Sequence, residues 1–387
     1  MKKIFIAAVT ILAFSLVGCN KHDDNIIPDT TRPSLGTPED NEIWFTLADN
    51  RGLFAMEQTA FNSAIEEIIY SEESISVIRF VEPLTTIGAD AFNGCTNLQN
   101  ISLPNSVESV SERAFFNCTN LEAITLGARL RNCGAKAFNN CINLYSLHIS
   151  SIMDWCRITF TDKTSNPAYY SQALLVDGEK ITKINIPNGL ASLSAYAFCG
   201  NIYVDTVAIP SSVQSIGIGA FEECTNLRRV EISDISKWSA IEFGNETANP
   251  LSITQELYLN GGLVTSVNIV GIEKVSAYAF INCTSIRDFS SDNSLLSIGD
   301  NAFRNCTSLA TAELGSGIKE IGAQGFMNCS ALQLVTLNAA NPPLLANDDV
   351  FSFNSKERKF AVPATSLDAY ANDTTWSQYK DFLTAIE

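Results

Sequence analysis

Eleven cysteines stand in a chain of 387 residues, and thiols can pair as disulfides, ligate a metal or act as nucleophiles. Their spacing discourages the last two. No Cys-x-x-Cys occurs, and the chain has only two histidines, His22 and His148. A zinc site needs four such ligands at close spacing. A Ser-His-Asp or Cys-His pair needs a histidine oriented by a third group, and only His148 lies in the part that can fold. No glycine-rich phosphate loop precedes a helix. Carboxylates are plentiful, but nothing in the spacing sets two of them across a cleft. Trp155 and Trp238 have the ring for stacking on a sugar, or else for filling a core. These residues lead to the expectation of no catalytic residues, no metal and no cofactor.

The elements that must position these residues repeat. Phe92, Phe115, Phe138, Phe198, Phe221, Phe280, Phe303 and Phe326 are separated by 23, 23, 60, 23, 59, 23 and 23 residues. Cys95, Cys118, Cys141, Cys224, Cys283, Cys306 and Cys329 each follow one of them by three; the Phe198 unit has Asn201 there, with Cys199 displaced. Five residues before each Phe stands Ile87, Val110, Cys133, Leu193, Ile216, Val275, Ile298 or Ile321. The unit reads Leu-x-x-Ile-Gly-x-x-Ala-Phe-x-x-Cys-x-x-Leu-x-x-Ile-x-Leu-Pro. The alternation in Ile101-x-Leu103 predicts a short strand, and Pro104 ends it by removing an N–H. One such rung cannot close a core, but stacked rungs bury equivalent positions against each other, as in a solenoid. The cysteines then point inward. Cys133, standing where other rungs place Ile or Val, acts as a small hydrophobe. A ladder of buried thiols is expected, with bridges between neighbouring rungs as the alternative.

The two long intervals are copies of each other 83 residues apart, as Trp155/Trp238, Phe160/Phe243, Asn166-Pro167/Asn249-Pro250 and Gly178/Gly261 show. Each reads as one expanded rung. A helical turn at Ile152–Trp155 and its copy would replace the Ala-Phe-x-x-Cys segment. A hairpin with glycine in its turn follows, and its second half, at Ile184-x-Ile186 or Val267-x-Ile269, would rejoin the strand register. About eleven rungs result, including a degraded last one at Phe351.

Ahead of the repeats, MKK and the apolar run Ile4–Val17 end in Leu16-Val17-Gly18-Cys19, which resembles the lipobox of bacterial lipoproteins. The resemblance implies a signal peptide over 1–18, removed before an acylated Cys19. The run is too short to span a bilayer. Residues 19–40, rich in Asp, Asn, Thr and Pro, predict a flexible tether. Asp23-Asp24 is similar to the acidic signal that sends lipoproteins of the Bacteroidetes to the cell exterior.

The repeat itself, over roughly residues 84–340, resembles the BspA-type leucine-rich-repeat family. The Asn-Glu-Ile-Trp-Phe-Thr opening at 41–46 and the ending from Val362-Pro363 to Ile386 look like that family's lipoprotein members. The expected fold is therefore α+β, mostly β: a right-handed leucine-rich-repeat solenoid, two of its rungs expanded. Residues 41–83 would form an N-terminal cap and residues 341–387 a C-terminal one. The resemblance implies a cell-surface protein, monomeric, held to the outer membrane by lipid alone, that binds a host or matrix protein without catalysis. A glycan ligand and a structural envelope role are the alternatives, and Tyr169 and Tyr170 join Trp155 as residues a glycan would use. A net charge of −17 with 17% charged residues argues against nucleic acid and anionic membrane surfaces as partners. The candidate binding face is the row of outward strand positions, one or two per rung: Asn100, Ser102, Thr125, Ser146, His148, Asn185, Arg229, Glu231, Asn268, Asp288, Thr311 and Glu313.

Overall fold

The computed structural model describes residues 34–386 apart from 50, 54 and 72–74. The signal sequence 1–18, Cys19, His22 and residues 20–33 of the expected tether lie outside the described residues.

Two ladders of parallel strands run through the repeats. The longer strands carry the Ile-x-Leu stretch. Ile101, Ile124 and Leu147 face one another across the strands Leu98–Ser102, Ala123–Thr125 and Ser146–His148. Two-residue strands form the second ladder, where Ile87, Val110, Cys133 and Phe160 align. Between the ladders, the Ala-Phe-x-x-Cys segment makes turns that also stack. Phe92 N–H donates to the Ala114 carbonyl at 2.7 Å and Phe115 N–H to Ala137 at 2.8 Å. The rings stack with their chain: Phe92, Phe115 and Phe138 lie nearly parallel, centroids 5.1 and 5.2 Å apart. The rung is tight where the sequence places Gly. A Cβ on Gly217 would stand 2.3 Å from the Ala195 nitrogen of the preceding rung, so only hydrogen fits.

Register in the sequence thus becomes register in the core. Phe, Cys, Ile and Leu columns form one hydrophobic cluster that runs from Ile43 to Tyr379. Each rung's interior is satisfied by its neighbours, so the ends need other partners. The strand Glu42–Leu47 pairs antiparallel with Leu98–Ser102 on one side and Ser76–Phe80 on the other. Beyond the last repeat, Lys359–Val362 and Leu383–Ala385 continue the parallel ladder, and Phe351, Phe360, Trp376 and Tyr379 pack ring against ring.

The two expanded segments depart from expectation in two ways. The helices Ile152–Trp155 and Ile235–Ser239 exist, N-capped by Ser151 and Asp234 side chains. They do not replace Ala-Phe-x-x-Cys. They lie between the long strand and the short one, because Thr159–Phe160 still pairs with Asn132–Cys133 after the helix. The turn position is taken by Lys163–Ser165 and the helix Ala168–Ser171 instead, and Phe138 N–H donates to Thr164 O there. Second, the hairpins do not rejoin the sheet they leave. Leu175–Val176 pairs with Ser146–His148 and then with Glu179–Lys180, where the sheet ends; Lys183–Asn185 starts a new one against Thr206–Ile209. The same break follows Gly262–Leu263, before Ser266–Ile269. The long ladder is therefore three successive sheets over one continuous core, and no sheet closes on itself.

Candidate binding face

The side chains expected to act as core do so. All ten described cysteines are buried and stand outside any disulfide. Five thiols also donate to the Phe carbonyl one rung back: Cys118 to Phe92 at 3.0 Å, Cys141 to Phe115, Cys224 to Phe198, Cys306 to Phe280 and Cys329 to Phe303. A thiol at this site is small enough for the coil and still offers a proton to a buried acceptor. Burial pushes the Cys95, Cys156, Cys224 and Cys329 thiols up to about 12, so none is set up as a nucleophile. Among the described residues no group of three or more His, Cys, Asp or Glu is placed to hold a metal ion, and no helix is long and apolar enough to cross a membrane.

Trp155 and Trp238 are 1% exposed and cannot offer a ring to a sugar. Each indole N–H instead donates to a backbone carbonyl across a sheet break, Trp155 to Ala197 and Trp238 to Ala279, both at 2.9 Å. Tyr170 is also committed inward: its hydroxyl donates to Asn139 and accepts from the Asn140 N–H. The sequence comparison of the two copies paired Asn166 with Asn249 but gave them no role. In the structure each donates its amide to the same carbonyls, at 3.3 Å to Ala197 and 3.2 Å to Ala279.

The outward strand row divides into three parts that follow the three sheets. In the first, four expected face residues are buried: Asn100 (9% exposed), Ser102 (0%), Ser146 (0%) and His148 (6%). They are not the open surface the alternation implied. The reason at Ser102 and Thr125 is residues 34–40. The Ser102 hydroxyl donates to the Gly36 carbonyl, Ser34 and Thr125 share a hydroxyl hydrogen bond of 2.9 Å, and Ser106 donates to the Asp40 carbonyl. Asn100 in turn donates to Thr46 of the adjoining antiparallel strand at 2.6 Å. This end of the expected tether is bound to the repeats.

In the second part the row is open and charged. Lys183 and Arg229 both pair with Glu231, at 3.0 and 2.8 Å, and their hydrogen bonds hold its carboxyl below the ordinary carboxylate value. The Arg229 guanidinium lies 3.8 Å from the centre of the Tyr258 ring and donates to the Gly261 carbonyl. The Tyr258 hydroxyl donates to Glu256, which raises its own pKa. Beside this network is an open cleft of about 400 Å³, its polar lining supplied by Asn185, Asn188, Glu231, Ser233 and Asn260. Tyr258 and Asn260 belong to the hairpin and were absent from the expected face. The alternation in LYLNGG, outward at Tyr258, was the signal that could have found them.

In the third part Asn268, Asp288 and Glu313 are exposed and Thr311 half-buried. They bond along the row rather than into a pocket: Ser290 to Asn268 at 3.1 Å, Thr311 to Asp288 at 2.7 Å and Asn338 to Glu313 at 3.4 Å. The structure thus brings Asn185, Arg229 and Glu231 together, spreads the third-sheet residues along an open edge, and covers those of the first. The whole face offers hydrogen bonds and paired charge.

Residues 63–163, 174–257 and 251–371 match the sequence model of the BspA type leucine rich repeat region, in six copies. No curated protein matches the chain. Among solved structures, a leucine-rich repeat protein from Bacteroides ovatus ATCC 8483 is 19% identical, covering 84% of this chain and 91% of that one, with a TM-score of 0.35. A leucine rich cell surface protein from Faecalibacterium prausnitzii A2-165 is 17% identical over 84% and 86%, with a TM-score of 0.39. The pneumococcal vaccine antigen PcpA is 13% identical over 83% and 86%, with a TM-score of 0.32.

Proposed function

The chain belongs to the BspA-type leucine-rich repeat family, and from that premise we propose that it is a non-catalytic cell-surface protein that binds an extracellular macromolecule, a host or matrix protein, through the outward strand row. The observation that carries this reading is the division of the row. Its second and third parts expose hydrogen-bonding side chains on a rigid, continuously packed core, without any group activated for chemistry. Rigid repeats bind by presenting many modest contacts at fixed spacing. The burial of Trp155 and Trp238 removes the two largest rings a glycan would have stacked on and leaves Tyr169 and Tyr170 half-buried, which favours a protein ligand.

The reading includes export. Residues 1–18 act as a lipoprotein signal, Cys19 carries the acyl chains, and the chain is held to the outer membrane facing outward as a monomer. It also includes about eleven rungs, two expanded, wound as a right-handed solenoid over 84–340, with caps at 41–83 and 341–387. Binding of the purified protein to a panel of matrix proteins and to a glycan array tests the function. Saturable binding to a matrix protein is expected; binding to glycans alone, or to neither, overturns it. Protease shaving of intact cells tests the exposure, and full protection would place the chain inside the envelope.

A further inference from the structure

The first two parts of the strand row are the same surface written twice, 83 residues apart. Ser102 corresponds to Asn185, Thr125 to Ala208, His148 to Glu231 and Asp177 to Asn260. In the first part this surface holds an extended stretch of the chain itself. Gly36, at a φ of +94°, turns its carbonyl to the Ser102 hydroxyl. Ser34, two residues earlier, reaches Thr125 one rung on. One side-chain hydroxyl and one main-chain carbonyl, two residues apart, thereby meet two neighbouring rungs. In the second part the equivalent positions line the open cleft of about 400 Å³.

We infer that the cleft at Asn185, Ala208, Glu231 and Asn260 is a peptide-binding site that takes an extended segment with small residues against the strands, as the first sheet takes residues 34–40. The inference rests on the proposed binding role and deepens it by assigning the site and the ligand class. Three features support it. Ala208 leaves room where Thr125 meets Ser34, so a ligand lies deeper here. Asn185 supplies both a donor and an acceptor where Ser102 uses one hydroxyl. The row carries no net charge, because Lys183 and Arg229 stand against Glu231 and against Glu256, the residue before Leu257 beside Val230, which suits a ligand held by hydrogen bonds. The first sheet is filled by the chain's own residues 34–40. That segment is tethered beside the first sheet, and the high effective concentration of a tether keeps a free peptide out of that copy.

The test uses the purified full chain and a fluorescently labelled peptide, Ser-Leu-Gly-Thr-Pro-Glu-Asp, the sequence of residues 34–40, read by anisotropy. Saturable binding is expected. Ala208→Trp fills the cleft floor from an outward position and should weaken it at least tenfold. Ser290→Trp, at the corresponding place in the third sheet, should leave it unchanged. No binding of the peptide, or equal binding by Ala208→Trp, overturns the site. In that event matrix-protein binding that survives Ala208→Trp leaves the broader surface-binding role standing, and loss of all binding removes both.

Discussion

The regular rungs and the two expanded segments solve one problem by different means. Every buried carbonyl in the stacked turns needs a donor. In a regular rung the backbone provides it: Phe280 N–H meets Ala302 at 2.8 Å, as Phe92 meets Ala114. At an expanded segment the extra residues carry the backbone N–H out of reach. Trp155 with Asn166, and Trp238 with Asn249, then bring side-chain donors to Ala197 and Ala279. The ring stack changes hands at the same places. Among the described residues Phe138 has no parallel ring partner beyond it, and Trp155 packs on Phe160 instead; Trp238 packs likewise on Phe243. A solenoid can therefore interrupt its sheet without interrupting its core, provided large side chains with one polar atom span the gap.

The comparison breaks most visibly in alkali. Burial raises the thiols of the regular columns above their ordinary 9.0, to about 12 at Cys95, Cys224 and Cys329. Below pH 9 folded and unfolded chains both keep these protons. Above it the unfolded chain releases them first, so it binds fewer protons and stability falls as pH rises from about 9 towards 12. The loss sums over many thiols and should exceed that of any single substitution. Denaturant midpoints measured from pH 8 to 11 should decline steadily, and a flat profile would sink this account. At pH 8 the folded protein should resist a thiol reagent, while the unfolded, non-reduced chain should expose the ten cysteines described as free; two or fewer would mean that the column is bridged.

Removing the spanning side chains tests the other half. Trp155→Ala or Trp238→Ala empties a core site and leaves its carbonyl with only the longer asparagine bond, so each should destabilise by about 3–5 kcal/mol. The equivalence of the two copies predicts similar losses, and a difference of several-fold would show that they are not mechanically alike. Asn249→Ala leaves the tryptophan donor in place and should cost about 1–3 kcal/mol, the range for a lost buried partner. A neutral result would mean that the Tyr278 and Ala279 carbonyls, at 2.7 and 3.2 Å from its amide, do not depend on Asn249. Smallest of all is Arg229→Ala. Its ion pair is partly exposed, and such pairs contribute under about 1 kcal/mol, so the denaturant midpoint should hardly move.

Much of the fold was legible because a repeat samples the same environment many times. The Phe, Cys and Ile columns, the strand after each Cys and the hairpins at Gly178 and Gly261 all follow from period and alternation. The Cys columns could be read as core from Cys133 alone, since a thiol that replaces Ile is filling space. The same logic failed where the pattern changes. Ile152–Trp155 has helical spacing, but spacing cannot say which side of a rung the helix occupies. That depends on Phe160 keeping its place beside Cys133. The binding face was legible as a list of outward positions and not as a surface. Alternation tells which way a side chain points from its own strand; it does not tell what another part of the chain lays over it.

The sequence by itself determined the periodic interior, because burying one face of a 23-residue coil forces the same residue types back to the same positions. Tertiary structure alone decided where the sheet breaks, which carbonyls Trp155 and Trp238 rescue, and that residues 34–40 cover Ser102 and Thr125 while the matching surface at Asn185 and Ala208 stays open. Those outcomes are set by contacts between residues up to about ninety positions apart, and no local pattern encodes a contact whose partner lies several rungs away.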